Sequence, residues 1–107
     1  GIWDYRGIVE NYLDPNDHTQ AIRPGYVRGW DEAASSPYLY SANEGIWFSY
    51  DDAQSMRIKS QYVQDNNYRG MIVWDTTLDD CNDTLARALN EGIGRVVTNP
   101  PAPGCRP

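Results

Sequence analysis

Apolar positions along this chain follow three different rhythms. Between Tyr5 and Leu13, Ile8 pairs with Tyr12 and Val9 with Leu13 at helical spacing, which predicts a short helix with one apolar stripe. Asp14-Pro15-Asn16-Asp17 closes it, because proline excludes the helical conformation from the residue before it. A polar connection is expected from Asn16 to Gly25, with Pro24-Gly25 as a turn.

The rhythm then changes to short aromatic runs: Tyr26 to Asp31, Pro37 to Ser41 and Ile46 to Tyr50. The links between them are too short for crossover helices, so an antiparallel meander is predicted. Alternation puts Tyr38 and Tyr40 on one face of their strand, and Trp47 and Ser49 together on the next.

Asp51-Asp52-Ala53-Gln54 opens a second helix running to about residue 65, with Asp51 and Gln54 at capping-box spacing. Ala53, Met56, Ser60 and Val63 form its inward stripe. Gly70-Met71-Ile72-Val73-Trp74 is an unbroken apolar run that reads as a strand covered on both faces. It ends on Trp74 and Asp75, where barrel strands present functional groups; packing alone would also account for the tryptophan. A third helix is predicted near 83–91, capped by residues Asp80 to Asp83, with Leu85 and Leu89 inward and Gly92 as its C′ residue. The Pro-rich tail from Asn99 cannot continue regular structure. One strand of parallel-sheet character without a parallel partner marks the chain as part of a larger α/β arrangement.

Composition narrows the function. The 107 residues fit one domain with a modest core. A net charge of -6 and no basic run disfavour nucleic acid. No run of the roughly 18–20 apolar residues that span a bilayer occurs, nor a signal-peptide pattern, so no membrane association is expected and the chain reads as a mature or excised piece. Eight Tyr, four Trp and one Phe are a high aromatic load, suited to interfaces and sugar rings as well as to a small core. Cys81 and Cys105 offer one disulfide, closing a loop of about 25 residues and contributing roughly 3 kcal/mol on the chain-entropy estimate. Two cysteines and the lone His18 leave no zinc site, and no cofactor is expected.

Catalytic constellations are absent. His18 has no Ser and Asp partners at useful spacing, and Gly92-Ile93-Gly94 lacks a preceding strand and a following Lys. The pairs Asp51/Asp52 and Asp79/Asp80 are read as helix caps before acid–base partners, which need carboxyls opposed across a cleft.

The ordered string Gly1-Ile2-Trp3-Asp4-Tyr5-Arg6-Gly7-Ile8, Ser36-Pro37-Tyr38-Leu39-Tyr40, Ser49-Tyr50-Asp51-Asp52-Ala53-Gln54-Ser55, Lys59, Tyr62-Val63 and Gly70 to Asp75 resembles the C-terminal part of family 18 glycoside hydrolases. These are the chitinases and chitinase-like lectins, and the opening segment is most similar to the bacterial chitinase A type. The resemblance implies an α/β fold, the C-terminal portion of a (β/α)8 TIM barrel with a small α+β antiparallel insertion subdomain. Residues 1–50 would be part of the insertion subdomain, 51–98 the last α/β repeat and 99–107 a Pro-rich tail. It further implies that Trp74 floors a cleft for chitin or chito-oligosaccharide, with Asp75 following it and Tyr5 and Arg6 on the insertion-domain wall. A secreted location is implied as well.

The family's Asp-x-x-Asp-x-Asp-x-Glu run and its Tyr-Asp pair are missing from this chain, so hydrolysis is expected to need the N-terminal part of the same enzyme. The alternatives are a stand-alone carbohydrate-binding or interaction module, and a structural fragment without ligand affinity. A segment of a larger barrel should expose a large apolar face beside the Gly70 run; a stand-alone module should cover it with its own meander or with a dimer partner.

Overall fold

The computed structural model of the protein describes residues 3–98 and Pro100. In chain order it contains α1 (Tyr5–Tyr12), β1 (Leu13–Asp14), β2 (Asp17–Ala21), β3 (Val27–Asp31), β4 (Ser36–Ser41), β5 (Ile46–Ser49), α2 (Ala53–Asp65), a 3-10 turn (Thr76–Leu78) and α3 (Thr84–Gly92). The architecture is mixed α/β with two antiparallel sheets, β1-β2 and β3-β4-β5.

Helix α1 starts where extended Asp4 accepts the Gly7 N–H, satisfying one of the donors that every helix start leaves open. Its buried stripe is Tyr5, Ile8 and Tyr12. Leu13, expected as its last residue, is instead extended and begins β1. It joins Ile8, Tyr12, Tyr26 and Leu39 in the core, with Phe48 and Tyr50 packed against them. Tyr12 is the hub, meeting Tyr26 and Phe48 edge-on at ring distances of 4.9 and 5.3 Å.

The stretch from Asn16 to Gly25 is more than a polar connection. Asp17–Ala21 folds back on Leu13–Asp14 as a short hairpin, pairing Leu13 with Ala21. Its polar, half-exposed side chains show no alternation, so the sequence carries no strand signal there.

The predicted meander is present, with Val27, Tyr40 and Trp47 in one register row and Gly29, Tyr38 and Ser49 in another. Pro37, Leu39 and Ser41 are buried, while Tyr38 and Tyr40 alternate to the outer face.

Helix α2 begins one residue later than expected. Its capping box is Asp52 with Ser55, not Asp51 with Gln54, because Ser55 is the residue that falls at the third helical position. Asp51 instead pairs with Lys59 at 2.8 Å. Within the stripe read from the sequence only Ser60 is fully buried, and Ser55 joins it; Ala53, Met56 and Val63 are half-buried. The small serines let α3 approach closely: a Cβ on Gly92 would stand 1.8 Å from the Ser60 hydroxyl. Gly92 is therefore the last residue of α3, selected by helix packing rather than as a C′ residue.

The largest correction concerns residues 70–74, which form no strand. A strand needs a neighbour for its N–H and C=O groups, and no other segment among the described residues pairs with this one. Ile72 and Trp74 are 97% and 89% exposed instead of covered. No helix among the described residues is long and apolar enough to cross a membrane.

Candidate functional site

An open cleft of about 610 Å³ runs between the Trp74 segment, the start of α1, β5 and the two long helices. Three tryptophans border it: Trp3, Trp47 and Trp74, respectively 51%, 59% and 89% exposed. Its base is apolar, with Met56 from α2 and Leu85 and Leu89 from α3.

Trp74 projects from the irregular segment, and the peptide joining it to Asp75 is cis. Asp75 caps the 3-10 turn, accepting the Thr77 N–H at 2.7 Å and the Thr77 hydroxyl. Those two hydrogen bonds, hydroxyl first, hold its carboxyl below the usual range.

Tyr5 also borders the cleft but is only 4% exposed. Its hydroxyl lies 2.8 Å from His18 Nδ1. Burial, reinforced by the charges of Asp80 and Asp52, raises its pKa far above the ordinary phenol value and keeps it neutral. Arg6, one helical step further round α1, faces away from the cleft. It donates to the carbonyls of Thr77 and Asp79 at 3.2 and 3.5 Å, tying α1 to the turn that follows Trp74. Of the four residues singled out from the sequence, Trp74, Asp75 and Tyr5 thus meet at one cleft and Arg6 lies behind it. Cys81 is disulfide-bonded; Cys105, its expected partner, lies outside the described residues, as does nearly all of the Pro-rich tail.

The carboxylates around the cleft are engaged locally. Asp4 caps α1 and Asp51 pairs with Lys59. Asp79 accepts the N–H groups of Leu85 and Ala86 at the start of α3, and Asp80 accepts that of Thr84. Asp83, expected among the caps, makes no side-chain capping bond. Aromatic faces over an apolar base can hold the flat, C–H-rich face of a sugar, while each bordering acid already has a capping or pairing role. No group of three or more metal-binding side chains occurs among the described residues.

Trp47 and Trp3 also line the cleft, and residue spacing does not single them out. The available signal for Trp47 was alternation: Phe48 goes to the core, so its neighbour must face outward.

The family model described as "Glycosyl hydrolases family 18" matches residues 1–79. Chitinase A1 of Niallia circulans is 33% identical over 101 residues, covering 94% of this chain but 13% of that protein. Chitinase B of Serratia marcescens is 36% identical over 66 residues, covering 62% of this chain and again 13% of the relative. Among solved structures, the chitinase Chi1 of the Yersinia entomophaga toxin complex superposes with a TM-score of 0.76 at 32% identity, over 87% of this chain and 17% of that one. A family 18 N-acetylglucosaminidase from Paenibacillus barengoltzii gives 0.65 at 35% identity, over 85% and 24%. The chain therefore spans less than a quarter of the length of each of these four proteins.

Proposed function

The chain belongs to family 18 of the glycosyl hydrolases, and from that membership we propose that it is the C-terminal segment of a chitinase-like enzyme. In this reading residues 1–50 supply part of an α+β wall and 51–98 the last α/β repeat of a (β/α)8 barrel. Trp74 is the floor under a sugar of chitin or a chito-oligosaccharide, with Asp75 and Tyr5 beside it and Arg6 bracing the turn from behind. The enzyme is secreted, as its polymeric substrate would require.

One observation carries this reading. Ile72, Val73 and Trp74 are 97%, 48% and 89% exposed, although the run they belong to has the composition of a doubly covered strand. An apolar segment of that kind, left without strand neighbours, fits a barrel position whose flanking strands belong to chain outside these residues.

Hydrolysis then depends on groups this segment lacks. Substrate-assisted cleavage uses the substrate's own acetamido group as nucleophile and a carboxylic acid at the glycosidic oxygen. Every carboxylate bordering the cleft is committed to a cap or an ion pair. The segment's own contribution is positioning: stacking the ring and shielding one side of it from water.

The test is an assay with a fluorogenic chito-oligosaccharide on the homogeneous 107-residue protein, alone and mixed with a separately produced N-terminal part of a family 18 enzyme. Turnover only in the mixture is expected. Turnover by the chain alone, above Trp74→Ala and Asp75→Asn controls, would overturn the proposal.

A further inference from the structure

We infer that His18 is a positioning residue for the cleft: its neutral ring holds Tyr5 in the cleft wall, and a proton on that ring releases it. This rests on the cleft reading above and adds a control to it. Tyr5 borders the cleft while only 4% exposed. His18 Nδ1, 2.8 Å from the Tyr5 hydroxyl, is that hydroxyl's one hydrogen-bond partner among the described residues. Burial keeps the phenol protonated, so the O–H donates and the ring nitrogen accepts. The two rings also meet edge-on, with centroids 5.8 Å apart. This bond joins α1 to β2. The next residue of α1, Arg6, donates to the carbonyls of Thr77 and Asp79 in the turn that follows Trp74. The first turn of α1 is thus held by His18 and in turn holds the segment beside Trp74.

Protonation reverses the bond. An imidazolium carries N–H at both nitrogens, so Nδ1 can only donate, and the phenol O–H needs another acceptor inside the wall. A buried donor without an acceptor is unfavourable, so Tyr5 is expected to shift toward the cleft, where its O–H reaches water. Protons have access to the ring: His18 is half-buried, and beside it lies a cavity of about 80 Å³ that Arg6, Glu10 and Asp80 also border. On the strands, the nearby charges are Asp17, Asp14 paired with it on β1, and Arg28 of β3. Asp52 and Asp79 act on the Tyr5 side. Histidine is the side chain whose charge ordinarily changes between about pH 5 and 8, and the chain has a single one.

The experiment titrates the 107-residue chain with a chito-pentasaccharide at about pH 8 and about pH 5, beside its His18→Asn, His18→Leu and Tyr5→Phe variants. Folding is checked by circular dichroism. Asparagine places an acceptor oxygen close to the position of Nδ1 but takes up no proton. Wild-type affinity is expected to weaken about fivefold on acidification. His18→Asn should keep most of the affinity at the higher pH and lose the pH dependence. His18→Leu should be weakened at both values, and Tyr5→Phe should show no pH dependence. In nitrogen NMR spectra the single imidazole should be the Nε2–H tautomer at the higher pH. A wild-type affinity independent of pH, a dependence that survives in His18→Asn, or an Nδ1–H tautomer overturns the inference and leaves the cleft standing. No pentasaccharide binding by the wild type at either pH would mean that the cleft reading itself has failed, and this inference with it.

Discussion

Arg28 on β3 and Asp52 at the cap of α2 form an ion pair at 2.5 Å, with side chains only 9% and 5% exposed. The same carboxylate holds the helix start, accepting the Ser55 N–H through its other oxygen. A single buried Asp therefore both opens α2 and ties it to the aromatic sheet, so the wall bearing Trp47 and the helix under the cleft are fixed to each other. Losing the cation would leave the buried carboxylate with no opposite charge beside it. Arg28→Ala is expected to destabilise the chain by about 3 kcal/mol in denaturant unfolding. The pair Arg28→Met with Asp52→Ser should recover most of that, since serine also caps and neither residue is charged.

Gly92 makes a second, independent prediction. A Cβ there would meet the Ser60 hydroxyl at 1.8 Å and the Arg57 carbonyl at 2.8 Å. Gly92→Ala should therefore push α3 from α2 and cost about 2 kcal/mol despite alanine's better helix propensity. Adding Ser60→Ala should restore only part of the loss, because the backbone carbonyl cannot move aside. Full restoration would show the serine to be the sole obstacle.

Stability at high pH is set in part by Tyr26. Its phenol donates to Glu44, and that hydrogen bond, with burial next, pushes its pKa up from 10.0 to about 12. Folding thus favours the protonated form. The contribution is fully present below about pH 10 and is lost as pH rises through about 12. Melting temperature measured against pH should fall across that window. In a tyrosinate absorbance titration, Glu44→Gln should bring one tyrosine back toward its ordinary pKa.

Much of this fold is legible from residue spacing, because local rules decide it. Ile8 and Tyr12 reveal α1, and the alternation around Leu39 reveals the meander. The β1–β2 hairpin is not legible, since Asp17, Thr19 and Gln20 are polar and face water. The misread strand has a different cause. Gly70 to Trp74 has the composition of a doubly covered strand, but a strand is a relation between segments, and no segment among the described residues pairs with this one. For the site, Trp74 and Asp75 stand out as the end of an apolar run, whereas Trp47 is hidden inside a meander rich in rings. Arg6 shows the limit of sequence adjacency: one helical step from Tyr5, it serves the turn behind the cleft.

The most direct test is a calorimetric titration of the homogeneous 107-residue protein with a chito-oligosaccharide, beside its Trp74→Ala variant. If Trp74 is the floor of a sugar cleft, aromatic stacking of about 0.5–1.5 kcal/mol should appear as weakening of up to about tenfold in the variant. Equal affinity in the two proteins, or no binding by either, would contradict it.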